Sequence, residues 1–230
     1  MNLILIGAEY SGTTTLATKI AEWGAETLGG QHGFHDHWKI PYLGHSEFTD
    51  EEYQSIVNLT PTIKEQYQRY HMEYHLGHDF YDDTDHNMVG FCYDEAVYAP
   101  LYYGYGGEGE YAGRSWYARH MEQTIKSIAP NTVLILLKCS PDEIRKRMKK
   151  NPNKYGILKD KDVEHVLERF EEEYNLALIR QKMTLDSTNT SPNKLVKEFE
   201  KQIEPFLTDV DRQRIIFRSL RSLNKQKKSS

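Results

Sequence analysis

The sequence predicts an α/β protein of three layers, with a central, mainly parallel β-sheet flanked by helices. Three observations predict it. An N-terminal apolar run breaks into a glycine-bounded turn that opens a helical pattern. Strand-length apolar runs then recur along the chain with helical patterns between them, and the strongest, Thr132–Cys139 (TVLILLKC), is apolar at nearly every position. With 230 residues and 38% apolar content the chain can bury one sizeable core, so a single domain is expected over residues 1–211, followed by a basic tail at 212–230.

Asn2–Ile6 is a short buried strand by its apolar continuity. From Thr14 onward (TTLATKIAEWGAETL) apolar residues fall at helical spacing, so the stretch Gly7-x4-Gly12-Thr13-Thr14 joins a strand to a helix. Gly7 and Gly12 permit a tight turn in which the amides of roughly residues 9 to 14 converge on an anion at the positive end of the helix. After Gly29, Gly30 and Gly33, a short second strand near Gly33–Lys39 carries His35, Asp36 and His37. Helical signal runs from Thr49 to about Phe80, broken at Pro61. A third strand is expected at Asn87–Tyr93, then a tyrosine- and glycine-rich loop at Tyr98–Gly113 and a helix at Ser115–Ile128. Beyond strand Thr132–Cys139, Ser140 is the N-cap and Pro141 the first-turn residue of a helix that ends at Lys150. A basic linker to Lys161, a charged helix at Asp162–Gln181, a short strand at Met183–Asp186 and a helix from Pro192 complete the order.

The glycine loop in its strand-to-helix setting resembles the phosphate-binding loop of the P-loop kinases, and the chain resembles the small-molecule, nucleoside and nucleotide kinases related to thymidylate kinase. Two more segments carry the resemblance. LLKCSPDEIRKRM is similar to the family's strand and lid helix, followed by a lid at about 145–161, and LDSTNTSPNKLVKEF is similar to its last strand and helix. The resemblance implies a three-layer P-loop NTPase fold, ATP and Mg2+ as cofactors, and donor contacts from Gly7, Ala8, Glu9, Tyr10, Ser11, Gly12, Thr13, Thr14 and Thr15, with Thr188 beside the adenine. Thr14 or Thr13, with Asp94, would be the magnesium partners. The family's loop lysine is replaced by Thr13, and losing one preorganised donor of that kind costs about 2.7–4 kcal/mol in the transition state. Another cation must therefore stand in, or turnover is slow or absent. Arg147, which matches the arginine of the family's lid helix, is the first candidate, with Arg145 beside it and Lys149, Lys150 and Lys154 nearby.

On the acceptor side, MVGFCYDEAVYA keeps an acid at Asp94, as magnesium partner or general base, where the family carries Asp-Arg, but Glu95 replaces the arginine that would grip an acceptor phosphate. A neutral or cationic small molecule is therefore expected rather than a nucleoside monophosphate. Aromatic residues concentrate here, with Tyr93, Tyr98, Tyr102, Tyr103, Tyr105, Tyr111, Trp116 and Tyr117 available to stack on rings or attract cations. Arg114 is placed either to clamp a phosphate or to pair with neighbouring acids. His35, Asp36 and His37 sit where the family contacts its acceptor. His71 and His75, at i and i+4 with His78 beyond, lack a third ligand for a convincing metal site and do not form the His-Glu-x-x-His motif.

Two alternatives stay open. The Ser11-Gly12-Thr13-Thr14 core also resembles the loop by which sulfotransferases hold the donor nucleotide's 5'-phosphate, although Glu9-Tyr10 stand where that family places Pro and a basic residue. A non-catalytic nucleotide-binding protein is the other. No run of eighteen apolar residues and no cleavable signal is present, and Cys92 and Cys139 lack metal-ligand spacing, so buried thiols in the cytoplasm are expected. A net charge of −5 makes nucleic acid an unfavoured partner despite the basic stretch Arg212–Lys228. The expected partners are a nucleotide donor and a small-molecule acceptor, without a membrane, and a homodimer through the helices is left open.

Overall fold

The computed structural model describes residues 1–29, 35–36, 48–77, 85–110 and 112–229, with 35–36 and 222–229 as backbone alone. Five strands, β1 (Asn2–Ile6), β2 (His35–Asp36), β3 (His86–Val89), β4 (Val133–Lys138) and β5 (Gln181–Asp186), form one parallel sheet in the order β2-β3-β1-β4-β5. β1 pairs with β3 on one side and with β4 on the other, in registers Leu5↔Val89 and Leu5↔Ile135. The chain fills one side of β1 and then the other, so the turn after β1 opens at the topological switch point, where ligands of such sheets bind.

The period-two alternation of the strands explains the layers. Ile4, Ile6, Met88, Leu134 and Leu136 share one core with α4 (Phe91–Tyr98), α5 (Arg114–Ile128) and α7 (Val163–Leu176). Leu3, Leu5, Val89, Ile135 and Leu137 share the other with α1 (Thr13–Thr27) and α8 (Pro192–Ile203). Both faces are covered, which is why β1 and β4 are apolar at nearly every position. The remaining helices are α2 (Asp50–Val57), α3 (Pro61–His75), α6 (Pro141–Lys150) and α9 (Asp209–Ser229). Ser140 caps α6 as its sequence predicts, accepting from the Glu143 amide at 3.3 Å.

Three boundaries differ from the sequence expectation. β3 ends at Val89, because Gly90 (φ 78°) and Phe91 (φ 52°) turn the chain through left-handed conformations directly into α4. A Cβ on Gly90 would lie 2.6 Å from Cγ of Asp94, so only glycine lets that carboxylate fold back over the turn. The expected loop from Tyr98 begins instead with a π-helical turn at Ala99–Tyr103. The charged helix closes at Leu176, and β5 starts earlier, at Gln181.

The basic stretch is helical, and its first arginines bind the fold. Arg214 donates to the carbonyls of Leu28 (3.2 Å) and Gly29 (2.6 Å), and Arg218 to that of Ala25 (2.9 Å), satisfying carbonyls at the α1 C-terminus. Arg214 also holds both oxygens of Asp85 (2.9 and 2.7 Å), whose Oδ1 accepts from the Met1 ammonium at 2.9 Å. Asp85→Asn is expected to cost about 1–3 kcal/mol, because two cations would face a neutral amide at a nearly buried site. A lower urea midpoint at unchanged m-value checks this.

Candidate functional site

The loop between β1 and α1 passes close beneath β4. A Cβ on Gly7 would lie 2.7 Å from the Leu137 carbonyl oxygen and 2.9 Å from Ser11 Oγ, so a larger residue would push the loop out of its seat. Tyr10 (φ 66°) and Gly12 (φ 98°) supply the left-handed steps, and the Ser11 amide donates to the Ala8 carbonyl at 2.9 Å. Gly12 is the N-cap residue of α1 and, having no side chain, caps none of the helix's first amides, which point toward the space above the loop. Ser11 is wholly buried, and its Oγ meets no hydrogen-bond partner among the described residues.

Above the loop lies a cavity of about 720 Å³, walled by loop residues 9–16, by one face of α6, by the lid at 151–157 and by the turn from β5 into α8. The loop and lid are joined through the loop's variable positions. Glu9 Oε2 accepts from the amides of Ile157 (3.0 Å) and Leu158 (2.9 Å), and the Tyr10 hydroxyl accepts from the Asn153 amide (3.0 Å). The carboxylate of Glu9 thus fastens the lid. Glu9→Ala is expected to speed amide exchange at Ile157 and Leu158 about ten- to a hundredfold, the equivalent of one charge-assisted hydrogen bond, and to accelerate tryptic cleavage at Lys154 and Lys159.

The two arginines singled out in the sequence part company on α6. Arg147 reaches the loop: its Nη1 donates to the carbonyls of Tyr10 (3.0 Å) and Ser11 (2.9 Å), its Nη2 to that of Ser187 (2.6 Å), and its Nε to Glu143 (3.0 Å). Arg145 faces away, held by both oxygens of Glu164 (2.7 and 2.6 Å) and by Asp160, and it does not line the cavity. Thr13, Thr14 and Thr15 line the cavity, whereas Gly7 and Ala8 line a second, smaller one against β4 and α7, and Thr188 accepts from the Ser140 amide at 2.9 Å. Ser187, in the segment expected beside the adenine, lines the first cavity as well, and so do Tyr53, Lys146, Thr190, Pro192 and Leu195, which were not singled out in the sequence. Ser187, Thr190 and Pro192 belong to the LDSTNTSP segment and were legible there by position, but nothing in the spacing of α2 announces Tyr53.

Asp94 is buried behind Gly90 and does not line the cavity, and Tyr98 beside it accepts from the Glu9 amide at 2.9 Å. Burial and the nearby Asp94 and Glu9 carboxylates raise the Tyr98 phenol well above its ordinary range. Thr14, exposed at the cavity wall, fits a magnesium ion that takes its other ligands from donor phosphates and water; Asp94 does not reach that space directly.

The acids and aromatics of the acceptor side form a buried network. Arg114, 1% exposed, pairs with Glu65 and with Glu95 (3.5 Å), while its guanidinium lies over the rings of Tyr105 and Tyr117 at 5.5 and 4.7 Å. Between the two roles left open for Arg114, it takes the pairing with acids. Tyr105 donates to Glu95, whose carboxyl is pushed up to about 7 by burial against the opposing effects of Arg114 and Tyr105. Tyr102 donates to Asp162 at 3.0 Å, linking the π-helical turn to the start of α7, and its phenol is raised to about 12, chiefly by burial. His35 and Asp36 form β2 beside Met88 and Val89; His37, His78 and Tyr111 lie outside the described residues. His71 and His75 are buried with their Nε2 atoms 3.1 Å apart.

A parallel sheet of this order with a glycine loop after its central strand and a lid across it is the P-loop kinase fold, and solved structures agree. The chain is similar to the YorR protein of Bacillus subtilis, solved in complex with phosphorylated GDP, at TM-score 0.54 and 18% identity over 90% of this chain and 99% of that one. It is also similar to deoxyadenosine kinase from M. mycoides with bound dCTP, at TM-score 0.55 and 11% identity over 89% of this chain and 100% of that one. The same kinase with dCMP and dCDP matches at TM-score 0.53 and 12% identity, over 90% and 100% of the two chains. No protein-family model and no curated protein matches the chain. Among the described residues, no helix is long and apolar enough to cross a membrane.

Proposed function

We propose that this chain is an ATP- and magnesium-dependent phosphotransferase acting on a small-molecule acceptor. The cavity of about 720 Å³ enclosed between the glycine loop and the lid carries the reading. Its floor is the start of a helix without a side-chain cap, suited to donor phosphates, and its roof is a segment already fastened to the loop by Glu9 and Tyr10. When bound, magnesium would neutralise phosphate charge beside Thr14. Arg147 holds the loop in shape through the Tyr10 and Ser11 carbonyls, and Asp94, buried behind Gly90 outside the cavity, would take an acceptor proton through a bridging water rather than directly. The internal pairing of Arg114 with Glu65 and Glu95 favours a neutral acceptor over a phosphorylated one, because that guanidinium is already committed.

One observation favours a second reading, a nucleotide-binding protein without turnover. Thr13 stands where the catalytic lysine would be, and the donors of Arg145 and Arg147 are largely engaged by the protein itself. Calorimetric titration with ATP, ADP and adenosine 3',5'-bisphosphate, with and without magnesium, followed by ATP turnover against neutral and cationic alcohols and nucleosides, separates the readings. Magnesium-dependent ATP binding with acceptor-dependent ADP release supports the kinase. Binding without turnover supports the second reading, and bisphosphate binding without magnesium indicates a sulfotransferase.

A further inference from the structure

We propose that Lys150, at the end of the lid helix, supplies the positive charge that the loop lacks at Thr13, and that it does so by contacting the terminal phosphates of a nucleoside triphosphate. This rests on the donor site proposed above and assigns the cation within it. Three lysine or arginine side chains line the cavity among the described residues: Lys146, Arg147 and Lys150. They fall on one face of α6 because positions 143, 146, 147 and 150 are spaced i, i+3, i+4 and i+7, which turns Arg145 outward to Glu164.

Two of the three are committed. Arg147 spends Nε on Glu143, Nη1 on two loop carbonyls and Nη2 on the Ser187 carbonyl, so its role is to brace the loop from outside. Lys146 holds Glu143 at 2.8 Å. Lys150 alone of the three has no carboxylate partner among the described residues, and it is exposed at the cavity wall. It also stands at the helix C-terminus, where the backbone dipole favours a cation.

Its position matches the task. Arg147 Nη1 is 3.8 Å from where a Cβ on Gly12 would lie, which places this face of α6 directly over the loop. Lys150 lies about 4.5 Å further along the helix axis, at 1.5 Å per residue, with a flexible four-carbon stem to swing toward an anion. The remaining acids of the cavity do not compete for it: Glu9 is taken up by the lid amides and Glu143 by Lys146 and Arg147. A triphosphate entering the cavity therefore meets one uncommitted ammonium, delivered from the lid instead of from the loop.

The test is calorimetric titration of the full chain with ATP and with AMP, in magnesium, for wild type, Lys150→Met, Lys150→Arg, Lys146→Met and Gly12→Asp, each checked for an unchanged circular dichroism spectrum. Lys150→Met is expected to weaken ATP about ten- to a hundredfold, in keeping with a charge-assisted contact, and to leave AMP within about twofold. Lys150→Arg should keep most of the ATP affinity, and Lys146→Met should change it little. ATP binding unchanged in Lys150→Met but lost in Gly12→Asp would overturn the assignment to Lys150 and leave the donor site standing. Equal weakening of ATP and AMP would overturn it too, since the contact would then not be with the terminal phosphates. Absence of binding by wild type for either nucleotide would overturn the donor site and Lys150 together.

Discussion

Arg114→Met is expected to lower stability by about 3–5 kcal/mol, the cost of removing one partner from a buried ion pair. The guanidinium is 1% exposed and stands between Glu65 and Glu95, so methionine fills much of its volume but leaves Glu95 without its cation. Glu65 keeps Arg69. The loss should depend on pH. In the folded chain burial holds the Glu95 proton up to about pH 7, against an ordinary value of 4.5, so between these values the folded state binds a proton that the unfolded state has released. This contribution is therefore complete below about pH 4.5 and is lost as pH rises through about 7. Without Arg114, which lowers the Glu95 value, the decline should extend to higher pH, and Arg114→Met should be most damaging on the alkaline side. Urea midpoints at about pH 5, 7 and 8.5 measure this, with Glu95→Gln as the variant that removes the slope. Equal losses at all three values would show that packing, not charge, dominates at Arg114.

Gly12→Asp is expected to weaken ATP at least about a hundredfold while changing the fold little. Gly12 adopts φ 98°, which most side chains avoid but aspartate tolerates better than others, and the nearest atom to an added Cβ is Arg147 Nη1 at 3.8 Å. The substitution thus fits sterically while placing a carboxylate among the amides that would receive a phosphate. Two like charges about 4 Å apart at an effective dielectric of 20 repel by about 4 kcal/mol, which exceeds the backbone strain of about 1–2 kcal/mol. Gly12→Ala carries the strain without the charge, so its smaller effect separates the two causes. If both variants bound ATP as wild type does, the anion site at the start of α1 would be excluded.

The layers and the loop were legible because their signals are local. β1, the turn from Gly7 to Gly12, β4 and the Ser140-Pro141 start of α6 are written in apolar runs, glycines and a cap that act within a few residues. β3 was read too long for an equally local reason: Phe91-Cys92-Tyr93 prolongs the apolar run, and only the left-handed turn at Gly90 shows where the strand stops. Glu9 was legible as a loop residue but not as the lid's anchor, since its carboxylate meets amides 148 and 149 residues away. Arg145 and Arg147 look alike in the sequence, and the turn of one helix sends the first to Glu164 and the second to the loop.

By itself, then, the sequence determined the α/β class, the glycine turn between β1 and α1 and the threonine at its end, all properties of contiguous residues whose periodicity or identity suffices. The tertiary structure alone decided that Glu9 fastens the lid, that Arg114 is committed to Glu65 and Glu95, and which cations of α6 face the cavity. The first and last of these depend on the parallel order β2-β3-β1-β4-β5, which brings the loops after β1, β4 and β5 to the carboxyl end of the sheet, and the second on the packing of α3, α4 and α5. A charge's role there follows from the partners found across that edge, which no spacing along the chain encodes.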